Sequence, residues 1–65
     1  MKTVVQSRYA RIDYYAERSS PFKYQVFRVS PFYRNRWIKI TNFITEEHAY
    51  KVYDKLNDTK GLVWS

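Results

Sequence analysis

Arg36-Trp37-Ile38-Lys39-Ile40-Thr41-Asn42-Phe43-Ile44-Thr45-Glu46-Glu47-His48-Ala49-Tyr50-Lys51-Val52-Tyr53-Asp54-Lys55-Leu56 changes its hydrophobic period part-way along, and that change decides the fold. Up to Asn42 the residues alternate, with Ile38 and Ile40 on one side of a strand and Trp37, Lys39 and Thr41 on the other. From Thr45 the period lengthens. Thr45 suits an N-cap, and Glu46 and Glu47 follow in the first turn, where carboxylates favour the positive helix end. Ala49, Val52, Tyr53 and Leu56 then recur at helical spacing, as the face that lies on a sheet does. The spacing predicts a strand over 36–42 and a helix over about 46–57, stopped by residues 57–61.

Outward from there, residues 22–30 alternate, with Gln25, Phe27 and Val29 on one face and Tyr24, Val26 and Arg28 on the other. Residues 4–16 alternate as well: Ala10, Ile12 and Tyr14 face one way, Tyr9, Arg11, Asp13 and Tyr15 the other. Residues 17–21 form a turn closed by Pro21, and residues 30–35 the next connection. Leu62, Val63 and Trp64 are an apolar tail expected to pack back on the body. The expected architecture is α+β: a three-stranded antiparallel meander (4–16, 22–30, 36–42) packed on one C-terminal helix, β-β-β-α, in a single domain over 1–65. Ala10, Ile12, Tyr14, Phe27, Val29, Ile38 and Ile40 would meet the helix. Trp37 is bulky enough that the reverse assignment of the third strand stands beside this one, because a one-residue slip exchanges the faces.

A chain of 65 residues has room for one small core, and with 20% aromatic residues it can fill that core without disulfides. Cysteine is absent, which rules out a disulfide frame and a cysteine zinc site and fits a reducing, cytoplasmic setting. Neither a membrane span nor a signal segment is read in the chain.

Charge is distributed unequally. Residues 1–44 carry nine Lys/Arg against Asp13 and Glu17, a net +7, whereas residues 45–65 carry three Lys against four carboxylates, a net −1. The basic part is interleaved with Tyr, Phe and Trp, a mixture that attracts phosphate and can stack bases. Candidate nucleic-acid contacts are Arg11, Tyr24, Arg28, Trp37 and Lys39 on the uncovered sheet face, with Arg34 and Arg36 in the adjoining hairpin. The same residue types also serve solubility and cross-strand packing on exposed strands. His48, the one histidine, lies among acids with no metal-ligand spacing, and Glu46 and Glu47 are adjacent rather than facing. No phosphate-cradling Gly-rich loop and no Cys nucleophile is present, and a Ser/His/Asp triad would have to borrow its only His from an exposed helix, so no catalytic residue, metal or cofactor is expected.

The junction Phe43-Ile44-Thr45-Glu46-Glu47-His48-Ala49-Tyr50-Lys51-Val52-Tyr53-Asp54 resembles the end of the plant ethylene-response-factor DNA-binding domain. There a strand ends in Phe-x-Thr and leads into a helix with Glu-Glu-x-Ala and then Tyr-Asp. The matching positions are Phe43, Thr45, Glu46, Glu47, Ala49, Tyr53 and Asp54. That family, and the similar arm-binding domain of phage integrases, lay three antiparallel strands in the major groove. The resemblance implies contacts from Arg11, Arg28, Arg34, Arg36, Trp37 and Lys39. This chain lacks the family's Gly before the Phe and its Arg-Gly-Val-Arg opening.

The leading expectation is a non-enzymatic nucleic-acid-binding regulator of phage or bacterial type, with DNA favoured over RNA. The alternative is a phage-type inhibitor or adaptor, since the chain looks like the short, Gly-poor, aromatic-rich products of phage genomes that block a host protein. Its basic aromatic surface would then dock on an acidic protein surface in the host cytoplasm. An exposed strand edge offers a route to oligomers or to sheet extension onto a partner.

Overall fold

The computed structural model describes residues 1–30, 32, 33 and 35–63. It contains β1 (Lys2–Gln6), β2 (Ala10–Tyr14), β3 (Tyr24–Val29), β4 (Trp37–Phe43) and α1 (Glu46–Asp58). The strands form one antiparallel sheet in the order β1-β2-β3-β4, and α1 packs across β2, β3 and β4. The sheet therefore has four strands, not the three expected, because residues 4–16 fold as a hairpin instead of one long strand. Ser7 makes the break. Its amide donates to the Ala10 carbonyl at 2.8 Å, and its Oγ accepts from the amides of Ala10 (3.1 Å) and Tyr9 (3.3 Å). The same hydroxyl donates to Asn57 Oδ1 at 2.5 Å and ties the turn to the helix. Tight two-residue hairpin turns ordinarily advertise themselves through Gly or Asn in left-handed backbone. Among the described residues only Lys60 and Gly61 have positive φ, so this turn uses a serine side chain and leaves no such mark.

Register sets the two faces. Ala10 lies opposite Arg28, Ile12 opposite Val26 and Tyr14 opposite Tyr24. Tyr24, Val26 and Arg28 therefore share the helix side with Ala10, Ile12 and Tyr14. This reverses the assignment expected for the second strand of the meander, and Phe27 lies on the open face. Val26 is the side chain that fits the centre. It is fully buried with Ala10, Ile12, Ala49 and Leu56, and these five residues are the core.

Both outer strands carry a bulge. On β1 the pairing steps from Thr3 opposite Asp13 to Val5 opposite Ile12, which leaves Val4 unpaired; on β4 it steps from Lys39 to Thr41 and leaves Ile40 unpaired. Each bulge turns an extra apolar residue, Val4 or Ile40, onto the core. In β4 it resets the alternation: Trp37 and Lys39 stay on the open side, while Thr41 faces the helix side opposite Val26.

β4 ends at Phe43, Thr45 caps α1 by accepting from the His48 amide at 3.3 Å, and the helix runs from Glu46. At the other end Gly61 donates to Leu56 O (2.7 Å) and Lys60 to Asn57 O (3.3 Å), the Schellman arrangement. Lys60 and Gly61 adopt φ of 57° and 84°. Leu62 and Val63 are exposed and do not pack back as the apolar tail was expected to; Trp64 lies outside the described residues.

Lys60 is the unfavourable choice at its position. Lys60→Gly is expected to raise stability by about 0.5 kcal/mol and Gly61→Ala to lower it by about 1 kcal/mol, read from urea midpoints.

Candidate nucleic-acid interface

With α1 on one side, the other face of the sheet is covered by its own side chains. The register lays them in two rows across the strands. One row runs Gln6, Arg11, Phe27, Lys39; the next runs Thr3, Asp13, Gln25, Asn42. The first combines cations with an aromatic ring. The second consists entirely of side chains that hydrogen-bond.

Arg11 and Asp13 stand two residues apart on β2 and so share this face. Asp13 is fully buried: Oδ1 accepts from Thr3 Oγ1 at 3.0 Å, and Oδ2 lies 3.1 Å from Arg11 Nη2. That ion pair is close but poorly aligned, so Asp13 Oδ2 and Arg11 Nε are buried with no hydrogen-bond partner among the described residues. The Arg11 guanidinium lies over the rings of Phe27 (4.5 Å) and Trp37 (5.2 Å), with 22% of the side chain exposed. It is desolvated on one side by aromatics and anchored from below by a carboxylate.

A second arginine is held similarly. Arg18, in the β2–β3 connection, sits 4.7 Å over the Tyr15 ring and donates to the Phe22 carbonyl at 3.2 Å. With the Gln25 amide oriented oxygen-first, Gln25 accepts from Arg18 Nη2 and Nη1 at 2.7 and 3.1 Å. Lys23 braces the same connection through the carbonyls of Ala16 (2.9 Å) and Arg18. Lys39 is exposed on β4. Arg36 is exposed just before that strand, 5.7 Å from the centre of the Tyr33 ring.

Of the residues expected to form one site, Arg11, Trp37 and Lys39 come together here and Arg36 borders them. Tyr24 and Arg28 are on the helix side. Arg28 Nη1 reaches Gly61 O at 3.5 Å, at the negative end of the helix. Tyr24 packs against Tyr14 at 4.8 Å in a shallow cleft with Lys2, Val4 and Glu46. Arg34 lies outside the described residues. Phe27, Asp13, Gln25 and Arg18 were not counted as site residues, although the Arg-x-Asp spacing of Arg11 and Asp13 was a legible sign of a same-face pair. Among the described residues no three His, Asp or Glu side chains converge as a metal site, and no helix is long and apolar enough to cross a membrane.

Comparison with protein-family models, curated proteins and solved structures found no match to this chain.

Asp13→Ala leaves the Arg11 guanidinium half-buried and unpaired and is expected to cost about 2 kcal/mol. In a double-mutant cycle by urea unfolding, Asp13→Ala combined with Arg11→Ala should cost less than the two single losses added together. The Tyr24 phenol holds its proton above the ordinary range, first because it is removed from water, then through the Glu46 carboxylate and Tyr14. The folded chain therefore binds this proton more tightly than the unfolded one. The resulting stability is complete below the unfolded tyrosine pKa of about 10 and is lost as pH rises through the folded value. Tyr24→Phe should remove this part of the alkaline loss, measured as urea midpoints across roughly pH 8–11.

Proposed function

We propose that the open face of the sheet binds nucleic acid and that the protein acts without catalysis, as a small regulator of phage or bacterial type. The observation that carries this reading is the company of cations and aromatic rings on the uncovered face of the sheet. Arg11, Arg18 and Lys39 lie with Phe27, Trp37 and Tyr15 on the side away from the helix. α1 carries Glu46, Glu47, Asp54 and Asp58 together with Lys51 and Lys55. The exposed Lys39 and Arg36 stand beside these rings, where they can meet the phosphates of a polyanion. The resemblance of the 43–54 junction to sheet-type DNA-binding domains supports the same side.

A second reading is favoured by a separate observation. Phe32 (86% exposed) and Tyr33 in the β3–β4 connection, Ile38 at the start of β4, and Leu62 and Val63 beyond the helix are all exposed. Arg28 links these segments, lying opposite Ile38 and reaching Gly61 O. An apolar end of this kind suits a protein partner such as a host enzyme.

The two readings separate by mutation. Arg36→Ala with Lys39→Ala should weaken binding to labelled nucleic acid about tenfold at low salt and flatten the salt dependence by about one to two units of slope, read by anisotropy. Arg28→Ala, on the helix side, should leave affinity within about twofold by the same assay. Binding unaffected by the double change removes the sheet face from consideration.

A further inference from the structure

We propose that this face takes the unpaired bases of a single-stranded nucleic acid, by stacking them on arginine planes, and does not enter the groove of a duplex. The inference rests on the nucleic-acid reading of the sheet face and names the form of ligand that the face fits.

The argument begins with where the arginines are tied. A side chain that reads the major groove must project into a cleft about 8.5 Å deep with its donors free. Arg11 does neither. Its guanidinium is held by Asp13 and laid over Phe27 and Trp37. Arg18 is likewise occupied by Gln25 and the Phe22 carbonyl and lies over Tyr15. Both long cationic side chains are tied down against aromatic rings instead of projecting free, and their guanidinium planes are what a base could stack on. A base has a π-face that stacks on a guanidinium or an indole, but in a duplex that face is covered by its neighbours. Only an unpaired strand can use such planes.

The neighbouring row fits the same ligand. Asn42 is half-buried and Gln25 is buried beside the stacking row, roughly 7 Å along the strands. Asn42 offers an amide on the same face for the edge of a base resting there, while the Gln25 oxygen is taken by Arg18. Lys39, at the end of the first row, and Arg36 remain exposed for the phosphates. Asp13 is a positioning residue in this arrangement: it holds the Arg11 guanidinium by charge at 3.1 Å and lowers its charge as seen from outside. Affinity should then depend on bases more than on backbone charge.

The same stacking chemistry is offered by single-stranded DNA and by RNA, so the test carries both. Fluorescence anisotropy at near-physiological salt would compare oligo-dT and oligo-U of about 12 nucleotides, an abasic strand of the same length, and a mixed-sequence duplex. Trp64→Phe leaves Trp37 as the one indole, so its fluorescence reports stacking directly. The expected result is binding of oligo-dT, oligo-U or both about tenfold tighter than the duplex, with quenching of Trp37 and a fall towards duplex affinity for the abasic strand. The relative strength of the dT and U arms assigns the source. Duplex binding equal to or tighter than that of either strand overturns the inference and leaves the nucleic-acid reading standing, as does an abasic strand that binds as well as oligo-dT. Absence of binding to every probe overturns both.

Discussion

The pairing of Ile12 with Val26 across β2 and β3 is the contact on which the rest of the molecule depends. Both side chains are fully buried, and Ala49 and Leu56 of the helix close over them. Because side chains alternate along a strand, this one pair settles the side taken by every neighbour on β2 and β3. It sends Val26 inward and Phe27 outward, and it brings Arg11 opposite Phe27. A register one residue away would bury Gln25 and Phe27 under the helix and leave Arg11 without its aromatic support.

A core of five fully buried apolar residues is small even for 65 residues, and it protects only one side of the sheet. Among the described residues the other side has no second helix. Its interior is assembled from Arg11, Asp13, Phe27 and Trp37, a layer in which cation–π contacts and an ion pair occupy the place of aliphatic packing. Such a layer is less stabilising than hydrocarbon because the charges must be desolvated. It has a compensating property, since its outer surface carries both charge and aromatic rings. The candidate interface and the stability of the uncovered face are therefore the same set of contacts, so substitutions that probe binding also probe folding.

The helix and its N-cap at Thr45 were legible in the sequence, because each rests on local chemistry, whereas the number of strands was not. The period changes at Thr45, and capping residues and breakers mark the ends. The hairpin at residues 7–9 was not legible. Its turn is made by a serine hydroxyl that also reaches Asn57, fifty residues away in sequence. The faces of β3 were equally hidden. Gln25-Phe27-Val29 and Tyr24-Val26-Arg28 each contain one polar residue, and the choice between them is made by partners on other strands. Those partners are Arg11 of β2 for Phe27 and Ile12 of β2 for Val26, while Gln25 is held by Arg18 of the β2–β3 connection. Of the residues expected on the open face, Arg11, Trp37 and Lys39 lie there, because their faces follow from β2 and the start of β4. Tyr24 and Arg28 were placed with them only through the inverted strand.

The bulges at Val4 and Ile40 have a consequence for the behaviour of this protein at high concentration. An open sheet ends in two outer strands whose unpaired amides and carbonyls can template another chain. Here each outer strand is kinked by an extra residue, and Lys2 and Lys39 add positive charge along the two margins. An incoming strand would meet an interrupted ladder and a like-charged rim at either margin. The residues that turn Val4 and Ile40 inward to enlarge a small core thus also blunt the margins against edge-to-edge growth, so solubility and core packing are served by the same two irregularities.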